Sequence, residues 1–240
     1  MNYILKSSLR LAILSCLFMS IVSLAYSAGA TGQKDKAVPT SALAPADLKL
    51  LSKLDETYRS QSMSMKVART TKVPDLGIER TTSGTLLVSK GRLRMELDGD
   101  QKSLLVINKK NLWAVTYPDA DFGGRVQVIR ADVNSKTGRS QSLLVLLSQG
   151  GFQKFFIASG AEKQKDGEVL FFLSPKEDQV DFKRAQIKVS ADGTKLTFLK
   201  YWDAKGNEVE MAFSDFKKES SIDSKKFEYT PPADADIISL

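Results

Sequence analysis

Met63-Ser64-Met65-Lys66-Val67-Ala68 alternates apolar side chains with small or charged ones. A period of two puts Met63, Met65 and Val67 on one face of a strand and their neighbours on the other. Upstream the period is different. Leu51, Leu54 and Tyr58 recur at i, i+3 and i+7, so Pro45 to Arg59 reads as an amphipathic helix. Pro45 suits the first helical position and Asp47 the first turn. The change of period near residue 60 marks the passage from one helix into a β-protein.

Downstream the strand signal repeats. Thr81 to Val88, Arg92 to Leu97, Leu104 to Ile107, Leu112 to Tyr117 and Arg125 to Arg130 read as strands. Polar or glycine breaks at Asn108-Lys109-Lys110-Asn111 and Gly123-Gly124 separate the later ones. Val169 to Leu173, Ala185 to Val189, Lys195 to Trp202 and Val209 to Phe213 continue the series. Ala191-Asp192-Gly193 and Asp203 to Asn207 supply hairpin turns. About eleven strands with regular turn spacing predict a mainly β fold with a few helices, as a barrel or strongly curved sheet.

One region breaks the pattern. Leu143 to Leu147 is an unbroken apolar run, and Phe152, Phe155 and Phe156 follow at i, i+3 and i+4. Two short helices inserted into the β-protein fit this spacing, with a buried strand at 143–147 as the competing reading. Short helices this apolar need something to cover.

The N-terminus reads as an export signal. Lys6 and Arg10 form a positive start, Leu11 to Leu24 an apolar core, and Ala25-Tyr26-Ser27 a cleavage site, with cleavage as late as Ala30 also compatible. The chain thus divides into a signal peptide (1–27), a small, polar lead-in (28–44) and a single domain (45–240). Cys16 is the only cysteine. The apolar run continues past it through Leu17-Phe18-Met19, which disfavours a lipidated cysteine there.

Composition narrows the chemistry. There is no histidine, and removal of the signal leaves no cysteine. The usual zinc sites and the Ser-His and Cys-His nucleophiles are excluded. Asp178 and Asp181 could be proposed as a catalytic carboxylate pair. They sit among Lys176, Glu177, Lys183 and Arg184, where a solvated charged loop is the simpler reading. The net charge is +7, and loss of Lys6 and Arg10 leaves +5. Basic and acidic residues are interspersed, which with export argues against nucleic acid as partner.

The ordered set of motifs resembles the LolA-type family of periplasmic outer-membrane lipoprotein carriers. The residues that carry the resemblance begin with Gly84-Thr85-Leu86-Leu87-Val88-Ser89-Lys90 and Gly91-Arg92-Leu93-Arg94-Met95. Leu112-Trp113, the apolar insert and Phe172-Leu173-Ser174-Pro175-Lys176 follow. The Asp192-Gly193 turn and Phe227 to Pro232 complete the set.

The resemblance implies an unclosed half-barrel of antiparallel strands, with an N-terminal helix and short lid helices over an apolar cavity. It implies a monomeric carrier chaperone without enzymatic activity or cofactor. Its cargo would be acylated lipoproteins, received from an inner-membrane ATP-driven releasing complex and passed to an outer-membrane acceptor. Leu86, Val88, Leu93, Met95, Leu105 and Trp113 would line the cavity. Leu143, Leu144, Leu147, Phe152, Phe155 and Phe156 would form the lid. The family's basic lid latch falls on Lys90, with Arg92 as the near alternative. The family's proline after that basic residue is replaced here by Gly91. Rival readings are an envelope-stress sensor of the RseB kind, which needs a second domain, and a structural β-protein without ligand.

Overall fold

A computed structural model describes residues 43–99, 101–119, 121, 123–148, 151–176 and 180–240 of the chain. The expected export signal and nearly all of the expected lead-in lie outside the described residues. The elements are α1 (Pro45–Ser60), β1 (Ser62–Val73), β2 (Ile78–Ser89), β3 (Arg92–Asp98), β4 (Ser103–Ile107), β5 (Asn111–Thr116) and β6 (Gln127–Asp132). Three short helices follow, α2 (Lys136–Ser140), α3 (Leu144–Ser148) and α4 (Phe152–Phe155). The chain returns to strands with β7 (Phe156–Lys163), β8 (Val169–Pro175), β9 (Phe182–Val189), β10 (Leu196–Asp203) and β11 (Glu208–Glu219). A 3-10 turn (Ser224–Phe227) leads to β12 (Asp236–Ser239).

All twelve strands form one sheet, in the order β12-β6-β5-β4-β3-β2-β1-β11-β10-β9-β8-β7. The two end strands, β12 and β7, do not pair with each other, so the sheet is open rather than a closed barrel. Every pairing is antiparallel except β12 with β6, which is parallel. This last strand and β7 are the two that the motif pattern misses.

Helix α1 packs against both β2 and β9, which stand four places apart in the strand order. That separation is roughly 19 Å at ~4.8 Å per strand. A helix of 16 residues, about 24 Å long, is enough to span it. Pro45 opens α1 as expected, and Asp47 accepts a hydrogen bond from the Ala44 N–H at 3.2 Å.

The inward face carries the main core. Met63, Met65 and Val67 of β1 point into it with Leu51, Leu54 and Tyr58 of α1. The helical stripe and the alternating strand therefore meet face to face. The Tyr58 hydroxyl accepts a hydrogen bond from the Leu196 N–H at 3.4 Å and lies 4.0 Å from the Met65 sulfur, which ties α1 to β10 and β1. A second apolar cluster, Leu104, Val106, Val115 and Val128, lies apart from the first. All five residues of β4 are buried because alternate side chains serve different clusters.

The insert resolves the helix-or-strand alternative at 143–147 in favour of helix, α3. The third phenylalanine of the downstream run differs from expectation. Phe156 is extended (φ −126°, ψ 153°) and begins β7, so α4 is a single turn and Phe152 and Phe155 alone belong to it.

Candidate functional site

The floor of the candidate site is a patch of paired strands. Leu86 of β2 faces Met95 of β3, and Val88 faces Leu93. Met95 in turn faces Leu105 of β4. The five side chains belong to one core and share its inward face. They are the residues that the resemblance would place in the cavity lining, and the register brings them side by side.

Trp113 does not join them. Leu105 pairs with Ala114, and Leu112 and Ala114 are the inward residues of β5. Alternation sends Trp113 to the other face, against the second apolar cluster. There its ring stands 5.9 Å from that of Tyr229, and the Arg130 guanidinium lies 5.1 Å over it. The sequence places Trp113 opposite Leu112 and Ala114, and the pairing of Leu105 with Ala114 decides which of them turns inward.

The insert covers the floor. Leu143, Leu144, Leu147, Phe152, Phe155 and Phe156 are at most 2% exposed and belong to the same core as the floor. Val145 and Leu146 are equally buried. Helix α3 is therefore covered on all sides, with the sheet below and α1 against it. In this form the insert's own side chains occupy the space above the floor.

Among the described residues, no hydrogen bond or ion pair ties Lys90 or Arg92, the two residues expected to latch the insert, to it. Lys90 and Gly91 form the two-residue turn between β2 and β3, with φ of 51° and 75°. Their backbones are tied to the end of α1, through Lys90 N–H to Gln61 O (3.2 Å) and Gly91 N–H to Tyr58 O (3.4 Å). The Lys90 side chain is exposed. The Arg92 guanidinium lies 5.0 Å over the Phe227 ring, which belongs to the C-terminal segment and not to the insert. The missing proline has a physical reason. Proline fixes φ near −65°, and this turn requires a positive φ at residue 91. A Cβ at Gly91 would also stand 3.3 Å from the Ser148 carbonyl oxygen at the end of α3.

A buried side chain that fastens the insert is Asp55 of α1. It is buried, at 5% exposure, and accepts a hydrogen bond from the Phe152 N–H at 3.1 Å. The Gln153 N–H also bonds to it. Burial pushes the Asp55 carboxyl up to about 6. The two backbone N–H groups and the Arg59 guanidinium pull in the opposite direction without cancelling the effect. Gly151 makes room for the contact. A Cβ there would sit 1.9–2.2 Å from the Asp55 carboxyl atoms, and its backbone (φ 93°, ψ 178°) suits only glycine. Two side-chain bonds flank the contact, Gln153 Nε2 to Ser52 Oγ (3.0 Å) and Lys176 Nζ to Gln153 O (2.9 Å). The motifs of the sequence do not single out Asp55, although a signal is present. With Leu51, Leu54 and Tyr58 it completes the i, i+3, i+4, i+7 stripe, so it is a carboxylate on an apolar face.

Among the described residues, no three His, Cys, Asp or Glu side chains cluster to hold a metal. Asp181 pairs with Lys136 at 2.9 Å, and its N–H donates to Ser140 Oγ. Asp178 lies outside the described residues. An open cleft of about 750 Å³ beside Ser64, Lys66, Arg94 and Lys226 carries charges of both signs, including Glu96 and Asp215, and is unsuited to acyl chains. No helix among the described residues is long and apolar enough to cross a membrane.

Residues 59–230 match the family described as outer membrane lipoprotein carrier protein LolA. An outer-membrane lipoprotein carrier protein of Xanthomonas campestris pv. campestris is 24% identical over 161 residues, covering 67% of this chain and 73% of that one. The carrier of Dechloromonas aromatica is 25% identical over 158 residues, covering 65% and 71%. Among solved structures, a LolA superfamily protein of Nitrosomonas europaea aligns with a TM-score of 0.41 at 14% identity, covering 76% of this chain and 97% of that one. The MucA/MucB complex of Pseudomonas aeruginosa aligns with a TM-score of 0.39 at 12% identity, covering 76% and 60%. With the family match extending from the end of α1 to Thr230, the chain belongs to the LolA family of outer membrane lipoprotein carrier proteins.

Proposed function

We propose that this protein is a periplasmic carrier. It takes up the acyl chains of lipoproteins released from the inner membrane and delivers them to an outer-membrane acceptor. The observation that carries the reading is the insert. A set of short helices with every apolar side chain buried lies over an apolar, inward-facing floor, fastened by a few polar contacts. When the insert lifts, the surface it leaves suits acyl chains.

The physical need is large. A lipoprotein carries three acyl chains of about fifteen carbons each. At ~0.8 kcal/mol per CH₂, exposing them to water costs on the order of 30 kcal/mol. An apolar cavity replaces the membrane as their solvent. No bond is made or broken, and transfer runs from weaker to tighter binding sites. The floor is Leu86, Val88, Leu93, Met95 and Leu105, and the insert from Leu143 to Phe155, with Phe156, is the lid. On this reading the protein is a monomer with a cleaved export signal. It is loaded by an inner-membrane ATP-driven complex.

The test is to express the chain in a periplasm and identify the material that copurifies with it by mass spectrometry. Displacement of a fluorescent hydrophobic probe by a tripalmitoylated cysteine lipopeptide is measured alongside. Copurified lipoprotein and probe displacement are the expected results. A folded protein that binds neither would overturn the carrier reading in favour of a structural β-protein. Copurified free lipid without lipoprotein would overturn it in favour of a lipid sensor.

A further inference from the structure

We infer that Asp55 is the clasp of the insert, and that its ionisation sets how readily the insert lifts from the floor. The functional meaning of the clasp rests on the carrier reading, whereas its existence does not.

The geometry is specific. The carboxylate comes from α1, while the two N–H groups it receives belong to Phe152 and Gln153 at the start of α4. The contact joins residues 97 positions apart in sequence. Gly151, without a Cβ and with a backbone conformation that side chains avoid, lets the carboxylate approach. Lifting the insert breaks both bonds and exposes Asp55 to water.

The charged surroundings of Asp55 are sparse. Arg59, one turn along α1, favours the ionised form. Helix α3 carries no titratable side chain, and α4 brings Lys154, exposed, with its ammonium over the Phe155 ring. Strand β2 ends at uncharged Ser89 beside exposed Lys90. On β9, Lys183 is exposed, Arg184 stacks on Trp202, and Lys188 pairs with Glu168. None of these offsets burial fully, and the carboxyl titrates near 6 instead of its ordinary 3.8.

Proton linkage fixes the direction of the effect. With the insert down, Asp55 holds its proton up to about pH 6. With the insert lifted, solvation returns the carboxyl toward its ordinary range. Lifting therefore releases a proton between roughly pH 4 and 6. Acid keeps the insert down, and rising pH loosens it. At neutral pH the clasp holds a buried charge, with two backbone bonds retaining it. The insert is held, yet readily released.

Hydrogen exchange of the Phe152 and Gln153 amides, corrected for intrinsic exchange, reads the clasp without any ligand. For the full chain we expect opening to rise about ten- to a hundredfold between pH 4.5 and 7.5, because releasing one proton on opening steepens it by up to about tenfold per pH. Asp55→Asn keeps the shape and removes the charge. It should be flat with pH and as protected as the wild type in acid. Arg59→Gln, which leaves the carboxylate in place, should displace the wild-type profile to higher pH. A flat wild-type profile, or an unaltered pH dependence in Asp55→Asn, overturns the clasp. Titration with the tripalmitoylated lipopeptide separates the two ideas. Exchange that varies with pH, without lipopeptide binding, leaves the clasp standing and removes the carrier reading. Binding with flat exchange does the reverse.

Discussion

The insert Lys136–Phe155 and the C-terminal segment from Ser224 onward each cover apolar surface of the same sheet, but they are fastened differently. The C-terminal segment is held by its backbone and by large rings. Phe227 is 1% exposed and lies beneath Arg92. Arg94 donates to the Lys226 carbonyl at 3.2 Å, Tyr229 meets Trp113, and β12 joins the sheet. The insert has no strand ladder to the floor below it. It adheres through apolar contact, the Asp55 clasp, the bonds of Gln153 and Phe155 to Ser52 and Lys176, and the contacts of Lys136 and Ser140 with Asp181. Apolar contact is non-directional, so another apolar body can replace the insert. A strand ladder has no such substitute. One cover is held by a ladder and by rings, the other mainly by contact without direction.

The largest test of this contrast is Phe227→Ala. Removing a fully buried ring should cost about 3–5 kcal/mol in global stability, read by chemical denaturation. Amide protection in α4, which reads local lifting of the insert, should stay unchanged as long as global unfolding remains the rarer event. Gly151→Ala forces a Cβ into the Asp55 carboxylate and strains the backbone. It should weaken the insert by about 2–4 kcal/mol, visible as faster exchange at Phe152–Phe155 ahead of global unfolding. If exchange quickens equally throughout the sheet, the insert is not a separable cover.

Trp113→Ala removes a half-buried ring from the outer cluster. It should cost about 2 kcal/mol and leave lipopeptide affinity unchanged. A loss of affinity would place this ring in the site after all. Lys90→Ala is the smallest. Its ammonium is exposed and only its backbone ties the turn to α1, so stability should move by less than about 0.5 kcal/mol. Exchange in α4 should not move either. A freed insert would restore this residue as the latch.

Much of the fold was legible because burial repeats. Met63 to Ala68 and Arg92 to Leu97 alternate as strands should, and Leu143 to Leu147 is apolar because α3 is enclosed. The floor residues alternate for the same reason. Strand β12 gave no such signal, since all four of its residues are exposed and its order comes from pairing with β6. Phe156 has the spacing of a third helical aromatic, but its place is decided by pairing with Pro175 on β8. For Trp113 the alternation was clear and the inward direction was not, because both faces of β4 and β5 bury apolar side chains. Asp55 was hidden by its residue type. A carboxylate in an apolar stripe has meaning only once the N–H groups it receives are known, and those lie far along the chain.

An open sheet also presents two rims, β12 and β7, whose unpaired backbone groups could template pairing with another copy of the chain. The molecule guards both. β12 is only four residues long and is flanked by the Arg125–Asp236 ion pair. On β7, an irregularity between Ala158 and Gly160 breaks the register, and Lys163 stands exposed at its end. A closed barrel would need neither safeguard, because closure abolishes its edges. By leaving its sheet unclosed, this protein takes on a standing risk of self-association, and the shapes of its first and last strands in the sheet are its defence.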